Sequence, residues 1–439
     1  MVQLINQFTN KRIKQIPQKM IRQNPLTLVT PVKNGEHDNL EALLTKIRND
    51  IINGLPQQFE GLNTIHYARW VLLEPKDADG KPQPDVGVRL VFSSDFDGDE
   101  NQHLSDISTK CAQFFDDMYS HCEGYPAPGE RTPESRKNYL SQWRVKSSAF
   151  FAGAPGRTLP QIMQENELRN HIWNFTKTGS WNNKSATEIH NAIKENVLAT
   201  TGFGWATEST KTPVIKWLGM ALLGIILLIL LPFIIIWVLI INFFLEPKDD
   251  QLGLTPSQVD EAHIKKLEEY EDLQNQNQFT QVLIMKQGQV RLITLKGLML
   301  FAKALISYLF VNGKLMGIPT IHFARWVMID NQKRMLFFSN FDGSWQQYLG
   351  DFIDKSGWGL TGIWSNTQKF PRTKFLFTAG AYDEEHFLAW SRYFQIPTAV
   401  WYCAYPHLSI KNIINNSYIR NELFKDLNEQ QAQQFLNRF

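Results

Sequence analysis

Four short motifs occur twice in this chain, in the same order, and that repetition constrains its fold more than any other feature. Val32-Lys33-Asn34-Gly35 is answered by Met285-Lys286-Gln287-Gly288, and Thr64-Ile65-His66-Tyr67-Ala68-Arg69-Trp70 by Thr320-Ile321-His322-Phe323-Ala324-Arg325-Trp326. Ser94-Asp95-Phe96-Asp97-Gly98 is answered by Ser339-Asn340-Phe341-Asp342-Gly343, and Arg169-Asn170 by Arg420-Asn421. Pro155 and Ile162 precede the last motif as Pro406 and Ile413 precede its match. The separations are 253, 256, 245 and 251 residues. Ordered matches at nearly constant spacing mark a duplicated unit.

Both copies read alike. An extended apolar stretch (Leu26 to Val32; Thr280 to Met285) precedes a helical one, which in the second copy carries Leu295, Leu298, Leu305 and Leu309. Two strands follow, Ile65 to Leu73 with Val86 to Phe92, and Ile321 to Ile329 with Met335 to Phe338, rich in β-branched and aromatic residues. Asp79-Gly80 and Asp330-Asn331 supply the turns between them. A helix, a strand (Ala149 to Ala152; Ala399 to Ala404) and a closing helix complete each copy. Asp99 with Gln102, and Ser344 with Gln347, predict capping boxes at equivalent positions, so each preceding Asp-Gly turns a strand end into a helix. Trp70 and Trp326 are expected to be buried in matching places. The order β-α-β-β-α-β plus a helix predicts an α+β fold of two ferredoxin-like units. An uncovered sheet face would leave a large apolar patch in water, so the units are expected to pack together as a duplicated α+β barrel. The boundaries are a basic arm over 1–25, unit 1 over 26–176, a linker over 177–213, a membrane segment over 214–245, a polar linker or helix over 246–277, unit 2 over 278–425 and a tail over 426–439.

Between the copies, Trp217 to Leu245 contains no charged residue over 29 positions. A run apolar on every side is not a soluble core helix. A spanning helix needs about 20 such residues and two spans about 40. As one helix it would reach about 43 Å, longer than a hydrocarbon core of ~30 Å. Pro232 near its middle can kink a helix. Two topologies follow: one long tilted span, or a re-entrant hairpin. Lys211 and Lys216 ahead of the run lean toward an N-inside span, whereas a barrel shared between the copies needs both on one side and favours the hairpin or a sharp bend. The lipid bilayer is therefore the first expected partner, with the soluble units on the cytoplasmic side. Lys11, Arg12, Lys14, Lys19 and Arg22 precede unit 1 with no apolar stretch behind them, so no cleavable signal peptide is expected, only a basic arm that anionic lipid could attract.

Composition narrows the function classes. Lys+Arg is 45 against Asp+Glu 43, a net charge of +2, which argues against a nucleic-acid partner. Cys111, Cys122 and Cys403 form neither a disulfide framework nor a metal-ligand spacing, so no metal site is expected and a reducing compartment is. No nucleophile elbow, zinc motif, kinase signature or phosphate-binding loop is present.

The stretches TIHFARWVMID, FFSNFDGSWQQYLGDFIDKSGWGLTGIWSNT, FPRTKF, IPTAVWY and AYPHLSIKNIINN resemble an uncharacterised family of bacterial membrane proteins, over most of residues 278–425 and more loosely in the first copy. More remotely, the duplicated barrel resembles that of dye-decolourising peroxidases, haem enzymes with a Gly-x-x-Asp-Gly motif. Ser94 and Ser339 stand where that motif has its first glycine, with Asp97-Gly98 and Asp342-Gly343 matching the rest. The resemblance implies haem as a candidate cofactor, a peroxidase-like oxidoreductase as a candidate activity, and an axial histidine, for which His171, His386 and His407 are the candidates.

From the residues alone, the candidate catalytic groups are the repeated His66, Arg69 and Asp97 with His322, Arg325 and Asp342. In a regular strand His66 and Arg69 face opposite sides, as do His322 and Arg325, so a shared site needs a bulge. Otherwise the histidines are structural and each arginine pairs with a carboxylate such as Asp97 or Asp342. Gly357 to Asn366, with two tryptophans and three glycines, reads as a loop that either packs over its own core or forms a pocket wall, an interface or a membrane-dipping segment. These readings lead to a membrane-anchored module that binds a protein partner or a small apolar ligand, with the haem oxidoreductase as the alternative.

Overall fold

The computed structural model describes residues 21–53, 59, 61–83, 86–208, 215–249, 253–310 and 313–439. Lys11, Arg12, Lys14, Lys19 and Lys211 lie outside the described residues. The first half of the chain runs β1 (Gln23–Pro31), α1 (His37–Ile52), β2 (Ile65–Leu73), β3 (Arg89–Asp97), α2 (Glu100–Lys110), α3 (Ala112–Tyr119), α4 (Pro133–Gln142), β4 (Ser147–Ala152), α5 (Leu159–Thr178) and α6 (Ala186–Ala199). The apolar run forms α7 (Trp217–Ile240). Then come α8 (Glu261–Glu268), β5 (Gln276–Ile284), α9 (Gln289–Tyr308), β6 (Ile321–Ile329), β7 (Arg334–Asp342), α10 (Trp345–Trp364) and a small ribbon of β8 (Thr373–Lys374) and β9 (Thr378–Ala379). The chain closes with α11 (Glu384–Phe394), β10 (Val400–Cys403), α12 (Ile410–Leu423) and α13 (Glu429–Leu436).

The long strands make two four-stranded antiparallel sheets, ordered β1-β3-β2-β10 and β5-β7-β6-β4. Each sheet takes its fourth strand from the other half of the chain. β10 runs along β2 with Tyr402 opposite Ala68, and β4 along β6 with Phe151 opposite Ala324. The edges of β2 and β6, unpaired N–H and C=O groups otherwise, are thereby covered. The ferredoxin-like order expected within each unit differs at this strand, which leaves its own half to serve its neighbour. β3 runs five residues past the expected end at Phe92, because Ser93 to Asp97 are buried and continue the pairing with β1 and β2. Gly98 and Gly343 then turn the chain at φ +96 and +85, a region that favours glycine. Asp99 and Ser344 cap α2 and α10 through backbone N–H groups, but only this half of the expected capping box forms: the Gln102 amide turns to Asp106 instead.

The sheets lie face to face with helices outside. Val29, Val71 and Val91 of one meet Val327, Leu336 and Phe338 of the other. On the outer faces Trp70 packs with Phe92, Leu104 and Phe115, and Trp326 with Phe337, Leu295 and Trp364; both indoles are buried on matching strands, as expected. Residues 186–199 of the expected linker form α6, and residues 429–436 of the expected tail form α13. Glu429 of α13 accepts from the Ala186 and Thr187 N–H groups at the start of α6, and Ile193, Val197 and Phe435 join Leu168 of α5 and Leu423 of α12 in a separate core. The expected loop over Gly357 to Asn366 is mostly helix. Its glycines face neighbours too close for a side chain: a Cβ at Gly357 would meet the Tyr382 ring at 2.9 Å, and one at Gly359 would meet Met316 at 2.4 Å.

Among the described residues one helix is long and apolar enough to cross a membrane. It is neither hairpin nor sharp bend: α7 is continuous through Pro232, about 36 Å at ~1.5 Å per residue. Both of its ends are held by one body. At the start, Lys216 N–H donates to Tyr308 O, and the Tyr308 ring lies against Gly219, where a Cβ would come within 3.1 Å. Near the end, Trp237 Nε1 donates to Thr294 Oγ1 at 2.9 Å. α7 thus runs antiparallel along α9. Beyond it the buried Glu246 carboxylate accepts from Thr373 and from the Phe375 and Leu376 N–H groups. The opposite face stands open, with Leu218 86% and Phe233 70% exposed.

Because each half contributes a strand to the other's sheet, the segments before and after α7 belong to one side of any membrane. Cysteines placed at the exposed Ser180 and Ser257, in a chain with Cys111, Cys122 and Cys403 replaced, are expected to react with an impermeant maleimide from the same side of intact cells. Labelling from opposite sides would refute the exchanged sheets.

Candidate functional site

β2 and β6 carry the repeated histidines and arginines, and both strands bulge at the histidine: the register shifts between Ile65 and Tyr67 and between Ile321 and Phe323. The bulge supplies what strand alternation forbids. His66 reaches the inter-sheet space, its ring 5.3 Å from that of Phe323 and 5.7 Å from that of Tyr405, while Arg69 two residues past Tyr67 also points between the sheets.

The carboxylates are not the arginines' partners. His66 Nε2 bonds Asp97 Oδ1 at 3.0 Å and His322 Nε2 bonds Asp342 Oδ1 at 2.8 Å. The second oxygen of each aspartate accepts from the first N–H of a closing helix, Leu159 for Asp97 and Ile410 for Asp342, each at or below 2.8 Å. An anionic group at a helix N-terminus is favourably placed. So each His–Asp pair fastens the closing helix that follows the strand given to the opposite sheet.

The arginines cross between sheets. Arg69 donates to Phe279 O, Ser339 O and Asn340 Oδ1; Arg325 donates to Leu26 O, Ser94 O and Asp95 Oδ1. Asn340 Nδ2 donates to Asp95 Oδ2 at 3.0 Å, closing a chain Arg325–Asp95–Asn340–Arg69 through the middle of the molecule. One carboxylate serves two buried guanidinium groups. Burial pushes Arg69 down to about 9 and lowers Arg325, with Asp95 opposing the fall in both. Their correct partners, Asp95 and Asn340, stand inside the repeated Ser94 and Ser339 motifs, two residues ahead of the aspartates singled out.

The two halves diverge beside the histidines. Tyr405 OH bonds His66 Nδ1 at 3.0 Å, but Ala154 occupies the matching position ahead of Pro155, and His322 Nδ1 is buried without a partner. Tyr67, matched by Phe323, donates to Gln276 Oε1, which also accepts from Cys403 Sγ. Burial raises the Tyr67 and Tyr405 hydroxyls well above the usual range and the Cys403 thiol to about 12, so none of the three is a ready nucleophile at neutral pH. Ser94 and Ser339, at the position of the peroxidase glycine, each hold an aromatic ring of the next helix: Ser94 Oγ lies 2.9 Å from His103 Nε2, and Tyr348 OH donates to Ser339 Oγ at 2.6 Å. These rings stack on Phe96 and Phe341 at 3.9 and 3.8 Å.

The other candidate histidines stay apart. His171 on α5 bonds Asn196 of α6, His386 bonds Asp383 at the start of α11, and His407 is exposed between β10 and α12. Two cavities, of about 490 and 550 Å³, open elsewhere and are lined by none of His66, His171, His322, His386 or His407. The residues singled out for haem line neither of these cavities. Among the described residues no group of three His, Cys, Asp or Glu side chains could hold a metal ion. No protein-family model matches the chain, and no curated protein matches it in sequence.

Asp95→Asn leaves Arg69 and Arg325 buried without a counter-charge and is expected to cost about 3–5 kcal/mol of stability, read as a lowered denaturation midpoint. A variant as stable as wild type would refute the network's role. A second expectation concerns pH. Burial holds His103 down to about 3. In the unfolded chain it titrates near 6.5, so the unfolded state binds the extra proton and stability falls as pH drops from about 6.5 toward 3. Between pH 7 and pH 5 this group alone is expected to remove about 2 kcal/mol. Urea unfolding of wild type and His103→Gln at both values should show a flatter dependence in the variant; identical slopes would refute it.

Proposed function

We propose that this chain is a bilayer-attached binding module: two ferredoxin-like units fused as one duplicated α+β barrel that rests on the membrane through α7. The observation that carries the reading is that α7 is apolar on every side and open to its surroundings, yet clamped at both ends to one body. A helix held in this way lies along its body, which favours in-plane seating over a span that leaves that body behind. Immersion in the apolar edge of one leaflet is the environment that suits its open face, flanked by the exposed Trp217 and by Phe243 and Phe244. A binding role, for a protein partner or a small apolar ligand at the membrane surface, is favoured over catalysis by the space between the sheets: His66 and His322 there hold aspartates that fasten helices, and Arg69 and Arg325 bond across from sheet to sheet.

Flotation with phosphatidylcholine vesicles is expected to carry the full chain to the top of a gradient, and alkaline carbonate to leave it bound. Lipids brominated near the headgroup should quench tryptophan fluorescence, whereas lipids brominated at the acyl terminus should quench it weakly. Strong quenching from the bilayer centre would replace in-plane attachment by a span, and a chain that stays unbound would end the membrane reading. Chain expressed with added haem is expected to show no stoichiometric Soret band. Such a band, lost on replacing His171, His386 or His407, would move the assignment to the oxidoreductase.

A further inference from the structure

Where α7 ends, the chain enters a pocket of about 490 Å³ that none of the preceding chemistry uses. Leu245, the last residue of the apolar run, forms part of its wall with Lys248, Lys286, Arg291 and Lys369, opposed by Asp249 and Asp79. Among the described lining residues four cations face two carboxylates, and Glu246 lies near enough to act on Lys286 as well. Asp249 Oδ2 is bonded by both Lys286 Nζ, at 2.8 Å, and Arg291 Nη2, at 2.6 Å. Asp79 is bonded by Lys369 Nζ at 2.8 Å. Arg291 is 3% exposed, and its Nη1 has no acceptor although its side chain lines the pocket. A buried guanidinium donor without an acceptor costs free energy that an incoming anion would recover. Gln287, also in the wall, and Gly288 lead into α9, whose first turn has no side-chain cap, so its N–H groups and the positive end of its dipole lie beside the cations.

We infer that this pocket binds the phosphate group of an anionic lipid headgroup. The inference rests on the bilayer attachment of α7, which brings the Leu245 wall to headgroup depth. A phosphate here would take the unpaired Arg291 donor and the Lys286 and Lys248 ammonium groups while the lipid's chains stay beside Phe243 and Phe244. Burial among cations pushes Lys286 down to about 8, and a bound dianion or monoanion would reverse that fall.

The test compares flotation of the full chain on phosphatidylcholine vesicles with and without phosphatidylglycerol, beside titration with glycerol 3-phosphate in solution. Wild type is expected to gain about tenfold or more in vesicle affinity from the anionic lipid, as two or more basic side chains near the surface would supply. Arg291→Gln and Lys248→Gln should lose most of that gain while keeping wild-type affinity for pure phosphatidylcholine, which also reports that they fold. The distant Lys184→Gln should keep the gain. No gain in wild type, or a gain retained in both pocket variants, overturns the proposal. Equal binding of glycerol 3-phosphate without any lipid gain makes the occupant a soluble phosphate and overturns the lipid assignment. If wild type binds no vesicle of either kind, the membrane reading fails by itself, and the lipid assignment falls with it, leaving the solution titration to decide whether a phosphate binds.

Discussion

β4 and β10 are short, yet almost everything else follows from where they go. Each leaves its own half after the preceding helix and completes the other half's sheet. A ladder of four or five residues contributes little by itself, but its consequence is global: neither sheet is closed until both halves are present. The aspartates then have a task. Asp97 stands on β3 of one sheet and holds the first N–H of α5, which follows β4 in the other; Asp342 does the same for α12 after β10. His66 and His322 hold those aspartates in place. The repeated His, Asp and Gly of the sequence are in this sense the fastenings of a strand exchange, which is reason enough for them to appear twice.

The same geometry explains why the interior is polar without being an open site. Two arginines from the central strands must meet acceptors across the gap, and they find backbone carbonyls of the edge strands β1 and β5 and of their neighbours β3 and β7. Asp95 provides the one carboxylate, and Asn340 replaces its counterpart in the second half. Two carboxylates would have balanced the two guanidinium groups; an amide instead lets Asn340 donate to Asp95 and accept from Arg69 and from Trp401 Nε1 at once. The cost of burying charge is reduced by making one anion serve the whole chain of bonds.

Much of this was legible in the sequence and some was not. The repeat located all eight long strands, the burial of Trp70 and Trp326 and the matching Asp-Gly turns, because period-two patterns and turn residues report on local geometry. Periodicity says which face of a strand is buried; it does not say which strand lies at its edge, so the exchange of β4 and β10 was invisible. The bulge at His66 and His322 leaves no mark on composition. The absence of a tyrosine ahead of Pro155 was visible beside Tyr405, and it does mark where the halves differ. Gly357, Gly359 and Gly362 misled in the other direction, since glycine in a helix can record a close neighbour as well as a loop. The expected helical hairpin does not form: Pro232 lies in one continuous helix whose lateral support comes from α9 rather than from a returning helix.

The pairing of Trp70 with Val400 spans 330 residues of sequence, and that of Arg325 with Phe150 spans 175. During synthesis, β2 must therefore wait with an open edge while the ribosome makes α7 and nearly all of the second half. Contacts so distant in sequence are slow to form, and a strand edge exposed meanwhile invites wrong partners. α7 emerges in the middle of this interval, before its place along α9 exists. On the proposed bilayer attachment, a nascent chain whose most apolar segment met a lipid surface first would hold its two halves there until β10 arrives, and that surface would act as a folding template.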